Sequence, residues 1–270
     1  MTTPPTTLSG AWNFRDVAET AEVAPGRLFR SSELSKLDDT GRALLTELVI
    51  TDIADLRSHA ELRRRGAGAV PDGTVVHHLP FPEVSHDKDA VTDTEAPHES
   101  SWQKMMTEYS DEEPAVAATR WMVGEYERFP TLGGALRAVR QIIGMIGAGR
   151  PVLVHCFAGK DRTGFAVALA LEAAGVDPSL ILTDYLRSND AVPALRRQIL
   201  DTMSHREETT DEILAFAESR LTDEVLGVRE EYLLRARRVL DDTHGGLDGY
   251  LRAAGVSEQD VTLLRTRLLG

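Results

Sequence analysis

Val152-Leu153-Val154-His155-Cys156-Phe157-Ala158-Gly159-Lys160-Asp161-Arg162-Thr163-Gly164 joins a short apolar run to a glycine-containing turn and then to a small-residue stretch, Gly164 to Ala174. The run, Pro151 to His155, is too short for a helix and reads as a buried strand. The stretch after the turn has the composition of a buried helix, with Gly175 as its C-terminal cap. A strand that turns into a helix aims successive backbone N–H groups and the positive end of a helix at one point. The turn therefore predicts an anion site that needs no metal. Cys156 opens the turn, where the dipoles that hold an anion also favour the nucleophilic thiolate. Arg162 follows six positions later, an interval that lets the chain circle an anion and return a planar guanidinium to it.

A tetrahedral oxyanion held this way predicts in-line attack by Cys156 on phosphorus, a phosphocysteine intermediate, and hydrolysis by water. Arg162 and the amides of the loop Cys156, Phe157, Ala158, Gly159, Lys160, Asp161 and Arg162 would stabilise the equatorial oxygens. Thr163 is placed to donate a hydroxyl hydrogen bond to the Cys156 sulfur as it departs. His155 is expected to support the loop rather than act as base. The leaving oxygen needs a proton, and two carboxyl groups compete for that role. Asp161 is preferred because the motif fixes its position; Glu83, just past a strand in Pro80-Phe81-Pro82-Glu83, is the alternative. Lys160 adds a local charge suited to substrates with more than one phosphate. A lone cysteine after an apolar strand is ordinarily a small buried hydrophobe. The joint occurrence of strand, cysteine, glycine, arginine, hydroxyl residue and helix outweighs that reading.

Outward from the loop, Leu28 to Ser31, Ile53 to Arg57 and Val75 to Phe81 read as further buried strands. Arg42 to Leu48 between the first two has helical spacing with Asp38 and Asp39 as caps, so an α/β class with a parallel or mixed sheet is expected. Glu83 to Thr119 turns polar and acidic, and its first half reads as a surface loop. Arg120 to Phe129 and Gly134 to Ile146, the second interrupted by Gly144, regain helical periodicity. Asp177-Pro178 starts another helix, and Val192 to Leu269 reads as consecutive helices marked by Thr210, Thr222 and Ser257. Arg57 is expected in a surface ion pair, and His77 and His78 on the two faces of a strand with no third ligand for zinc.

The 270 residues suffice for a large core and an enclosed site, and a single domain over 1–270 is expected. A net charge of −13 argues against sequence-independent nucleic-acid binding and repels phosphorylated substrates, so any phosphate site must be local. The single cysteine excludes an internal disulfide and a cysteine-rich metal site. No apolar run is long enough to span a bilayer, and Met1 to Thr7 lacks the parts of a cleavable signal peptide and reads as a disordered tail. No cofactor, no metal, no nucleic acid and no integral membrane association are expected, and a monomer is the expected state.

His155 to Gly164 resembles the H-C-x5-R-T-G signature of protein tyrosine phosphatases. Gly10-Ala11-Trp12-Asn13-Phe14-Arg15-Asp16-Val17, Pro25 to Leu34, Asp184 to Asp190 and Leu226-Gly227-Val228-Arg229 resemble a secreted mycobacterial branch of that family. The resemblance implies a phosphatase fold with a four-stranded parallel sheet and a C-terminal helical lid at about 196–240. It implies broad specificity for phosphotyrosine, phosphoserine or phosphothreonine, and phosphoinositides, with Lys160 and Asp161 tied to the last. It also implies a protein that is cytoplasmic or exported without a cleavable signal. The branch has Asp where Glu83 stands. A rhodanese-like sulfur transferase and a catalytically silent phosphate-binding module are the alternatives. A nucleotide P-loop does not fit, because Asp161, not Ser or Thr, follows Lys160.

Overall fold

The computed structural model describes residues 7–81, 112–205 and 209–270. The expected tail before Thr7, and Glu83 with the acidic loop that follows it, lie outside those residues. The described elements begin with β1 (Arg15–Asp16), β2 (Leu28–Ser31), α1 (Asp39–Glu47), β3 (Asp52–Asp55), α2 (His59–Arg65) and β4 (Val75–His78). After the second described stretch opens come α3 (Pro114–Arg128), α4 (Gly133–Gly147), β5 (Val152–His155), α5 (Asp161–Ala174), α6 (Pro178–Leu186) and α7 (Val192–Ser204). The chain closes with α8 (Asp211–Arg220), α9 (Asp223–Leu226), α10 (Glu230–His244), α11 (Leu247–Ala254) and α12 (Glu258–Leu269).

The sheet runs β1-β2-β5-β3-β4, with β2, β5, β3 and β4 parallel and β1 antiparallel at the edge. The four parallel strands are those expected, though β4 ends at His78 rather than at Phe81 and, at the sheet edge with Val75 and Val76 exposed, is not the buried strand expected. β1 is an addition two residues long, too short to show any alternation. Side chains alternate across the sheet as the strand period demands. Phe29, Ile53 and Leu153 pack with Leu45 of α1 on one face. Leu28, Ala54, Val152 and Val154 join the larger core of α3, α4, α5 and the C-terminal helices on the other. Burial on both faces is why these strands read as unbroken apolar runs.

Several helix boundaries follow their caps. Asp38 accepts from the Gly41 amide to start α1, Asp177 precedes Pro178 at α6, and Ser257 with Asp260 forms a capping box at α12. α3 starts at Pro114, six residues before the expected Arg120, because Glu113 caps it and Pro is tolerated in the first turn. Gly144 does not interrupt α4, which runs through it to Gly147. No helix among the described residues is long and apolar enough to cross a membrane.

Register places the site. Ser31 and Asp55 both pair with His155, so the carboxyl ends of β2, β5 and β3 finish level. The segment after His155 therefore emerges in the crevice beyond the carboxyl ends of a parallel sheet, where open α/β sheets bind their ligands.

Candidate active site

The turn after β5 is held by its carbonyl groups. Phe157 O accepts from the Glu33 amide at 2.9 Å, Ala158 O from Asn13 Nδ2 at 3.1 Å, and Gly159 O from Asn13 Nδ2 at 3.0 Å and Arg30 Nη2 at 2.8 Å. In a planar trans peptide the carbonyl and the next N–H point opposite ways. Tying those three carbonyls outward therefore turns the amides of Ala158, Gly159 and Lys160 toward the inside of the turn, which is the nest the sequence predicts. Gly159 is required in it. Its φ is +68°, and a Cβ there would stand 2.1 Å from Ser31 O.

Arg162 closes the turn from the first residues of α5. Its Nη1 and Nη2 donate to Glu61 at 2.7 and 2.8 Å, and Nη1 also reaches Leu56 O at 3.2 Å. Both side chains are buried, Arg162 at 3% and Glu61 at 0% exposure. Burial works against the guanidinium charge, but Glu61, and beyond it Cys156 and Asp161, hold its pKa above the ordinary range. Burial likewise opposes the Glu61 carboxylate, and Arg162 more than offsets it, leaving its pKa lowered. Cys156 and Arg162 lie at the two ends of the turn, and both are sealed from solvent.

A model of the tyrosine phosphatase family matches residues 6–270. The chain is 54% identical to the triple specificity protein phosphatase PtpB of Mycobacterium tuberculosis, over 97% of this chain and 98% of that one. It is also 28% identical to a tyrosine-protein phosphatase of Nostoc commune, over 94% of this chain and 78% of that one. The chain belongs to the tyrosine phosphatase family. It is a cysteine-dependent phosphatase, with a central sheet flanked by helices.

The motif residues outside the loop explain themselves as the phosphatase's bracing. Asp184 of α6 is buried between Arg15, whose Nε donates at 2.8 Å, and Arg30, whose Nη1 donates at 2.5 Å. Burial opposes the Asp184 charge, and Arg30 and Arg15 outweigh it. Arg30 reaches from that pair to Gly159 O, and Asn13 is itself positioned by Arg15 Nη1. The N-terminal and α6 motifs therefore set the shape of the loop from behind. Sequence reading quoted these residues without their roles. It missed Glu61 altogether, although Ser58-x-x-Glu61 is a visible capping box, here with both of its bonds made.

The remaining expected site residues are placed as follows. His155 is buried with Nδ1 3.2 Å from Cys156 O, and burial lowers its pKa, which suits a neutral supporting ring. Thr163 Oγ1 is buried and makes no hydrogen bond in this conformation, to the Cys156 sulfur or elsewhere. Asp161 Oδ1 accepts from Lys160 Nζ at 2.9 Å and from the Tyr126 hydroxyl at 3.0 Å. Lys160, expected to meet additional phosphates, is instead buried, and its ammonium also donates to Val225 O and Gly227 O at 3.0 Å each. Glu83 lies outside the described residues.

One expectation about a neighbour changes. Arg57 is not a surface residue: it is fully buried, its Nη2 2.7 Å from Asp55 and its Nη1 3.0 Å from Glu33. It thereby fixes the strand end beside the loop, and Glu33 in turn offers its amide to Phe157 O. His77 and His78 do point to different partners, His77 Nε2 to Asp52 at 2.7 Å and His78 Nε2 to Arg57 O at 2.8 Å.

Proposed function

We propose that the phosphatase hydrolyses phosphate monoesters with Cys156 as nucleophile and Arg162 as clamp. The Cys156 sulfur attacks phosphorus in line, and the amides of Ala158, Gly159 and Lys160 with the guanidinium hold the equatorial oxygens. Water then cleaves the phosphocysteine. The observation that carries this reading is the outward anchoring of the Phe157, Ala158 and Gly159 carbonyls. That anchoring turns the amides of Ala158, Gly159 and Lys160 inward, which pre-forms a set of donors for an oxyanion. Substrates are phosphorylated proteins carrying phosphotyrosine, phosphoserine or phosphothreonine, together with phosphoinositides. The likeness to a protein named for triple specificity supports that breadth.

Cys156 is only 2% exposed, so a substrate requires part of the cover to move. We assign that movement to α7 and α8. α7 buries only Leu195 and α8 only Ala217, whereas α9 buries Val225 and Leu226 and α10 commits Tyr232, Ala236 and Leu240 to the core. This distribution supports a lid within the expected 196–240 that ends before α9. Thr163 would meet the departing sulfur once the site is occupied.

Phosphate release from phosphopeptides and phosphoinositides, measured with a chelator present, tests the reading. Cys156→Ser is expected to lose turnover on both classes. Turnover in that variant, or a requirement for a divalent ion, would overturn it.

A further inference from the structure

The turn that is to hold a dianion carries a carboxylate. Asp161 is its one acidic residue, set between Lys160, whose amide turns inward, and Arg162. Arg162 feels the charges of both Cys156 and Asp161, so the carboxylate stands within electrostatic range of the clamp and the nucleophile. Arg162 does not cancel that charge, since its Nη1 and Nη2 are engaged by Glu61. A like charge beside an anion site works against binding there.

Two buried donors meet Asp161 Oδ1, Lys160 Nζ at 2.9 Å and the Tyr126 hydroxyl of α3 at 3.0 Å. The Tyr185 hydroxyl of α6 donates in turn to the Tyr126 oxygen at 2.7 Å. Burial pushes both phenols well above their ordinary pKa, so each keeps its proton and stays a donor. A donor that itself accepts a bond is polarised and holds its acceptor more strongly. Packing fixes the rings: Tyr126 has Phe129, Tyr232 and Tyr185 around it, with centroids 5.0, 5.6 and 6.3 Å away. Tyr185 lies against α5, where a Cβ on Gly164 would stand 2.8 Å from its Cδ2. The last glycine of the signature therefore makes room for a phenol behind the loop.

Resting on the phosphatase reading above, we infer that Tyr126, steadied by Tyr185, is a positioning residue that holds and offsets the Asp161 carboxylate so that the loop accepts an oxyanion. It acts through Asp161 rather than on the substrate. Lys160 does not suffice for this role, because its ammonium also donates to Val225 O and Gly227 O at 3.0 Å each. Shared among three acceptors, it offsets the carboxylate less than an ammonium given to Asp161 alone, and the phenol supplies part of the difference. α6 thus braces the loop twice. Asp184 acts through Arg30 on Gly159 O, and the next residue, Tyr185, acts through Tyr126 on Asp161.

A double-mutant cycle on phosphate affinity tests this, with inorganic phosphate titrated into the full chain in a calorimeter. Tyr126→Phe keeps the ring and its packing and removes only the hydroxyl. It is expected to weaken phosphate about 10-fold. Asp161→Asn takes away the charge that the hydroxyl offsets, so adding Tyr126→Phe to it should weaken phosphate by about 2-fold at most. Tyr185→Phe leaves the Tyr126 bond to Asp161 in place and should weaken phosphate less than Tyr126→Phe does. Equal losses from Tyr126→Phe in the parent and in Asp161→Asn would mark a merely structural role and overturn the inference. Undiminished affinity in Tyr126→Phe, or a larger loss in Tyr185→Phe, would overturn it as well. Turnover in Cys156→Ser would sink the phosphatase reading itself, which separates the two failures.

Discussion

Replacing Glu61 with Gln isolates the charge that holds Arg162. The change keeps shape and one acceptor oxygen, so the cap on the Ser58 amide, at 2.7 Å, survives. It removes the negative charge from a pair that is bidentate at 2.7 and 2.8 Å and buried on both sides. It also turns an N–H of the new amide toward a guanidinium N–H. Removing one partner of a buried pair destabilises by about 3–5 kcal/mol. The remaining bond from Arg162 to Leu56 O, and the nearby Cys156 and Asp161, put this variant at the lower end, about 3 kcal/mol. For a chain of this size that is a fall in Tm of roughly 6–12 °C. Thermal unfolding followed by circular dichroism in phosphate-free buffer measures it. Adding orthovanadate supplies a negative charge inside the loop, so it should raise Tm more in Glu61→Gln than in the parent. A variant as stable as the parent, or equal vanadate shifts in the two, would refute the idea that Glu61 compensates Arg162 until an oxyanion arrives.

Lys160→Met leaves Asp161 Oδ1, Val225 O and Gly227 O without their shared donor. Each unmet buried acceptor costs about 1–3 kcal/mol, so amide exchange in 223–228 should accelerate relative to that in β5. Unchanged exchange there would argue against Lys160 as the tie between loop and α9. Acid stability tests Asp55. Burial opposes its charge, but His155 and the Arg57 bonds bring its pKa down to about 2. A depressed folded pKa adds stability that is present above the unfolded value near 3.8 and is lost as pH falls through about 2. Asp55→Asn should therefore be about 2 kcal/mol less stable near neutrality, with the gap to the parent narrowing between pH 4 and pH 2 in urea titrations. A gap that is constant or widens over that window would contradict the assignment.

The loop from Cys156 to Arg162 and strands such as Leu28–Ser31 were legible because their signals are local: an apolar run, a glycine, a spacing of six, a cap. The same holds for α1, α6 and α12, whose starts are written in Asp38, Asp177 and Ser257. β1 was not legible, since two residues show no period. The early start of α3 was overlooked although Glu113-Pro114 signals it. The sequence by itself determined which residue types surround a phosphate and in what order along the chain. Only the tertiary structure decided where they point. Arg162 meets Glu61 across 101 residues, Arg30 meets Asp184 across 154, and Lys160 turns to Gly227 across 67. A charged side chain's local sequence is compatible with water, substrate or a buried partner alike. Which of these it meets depends on desolvation and on carbonyls and carboxylates that only folding brings within hydrogen-bond distance.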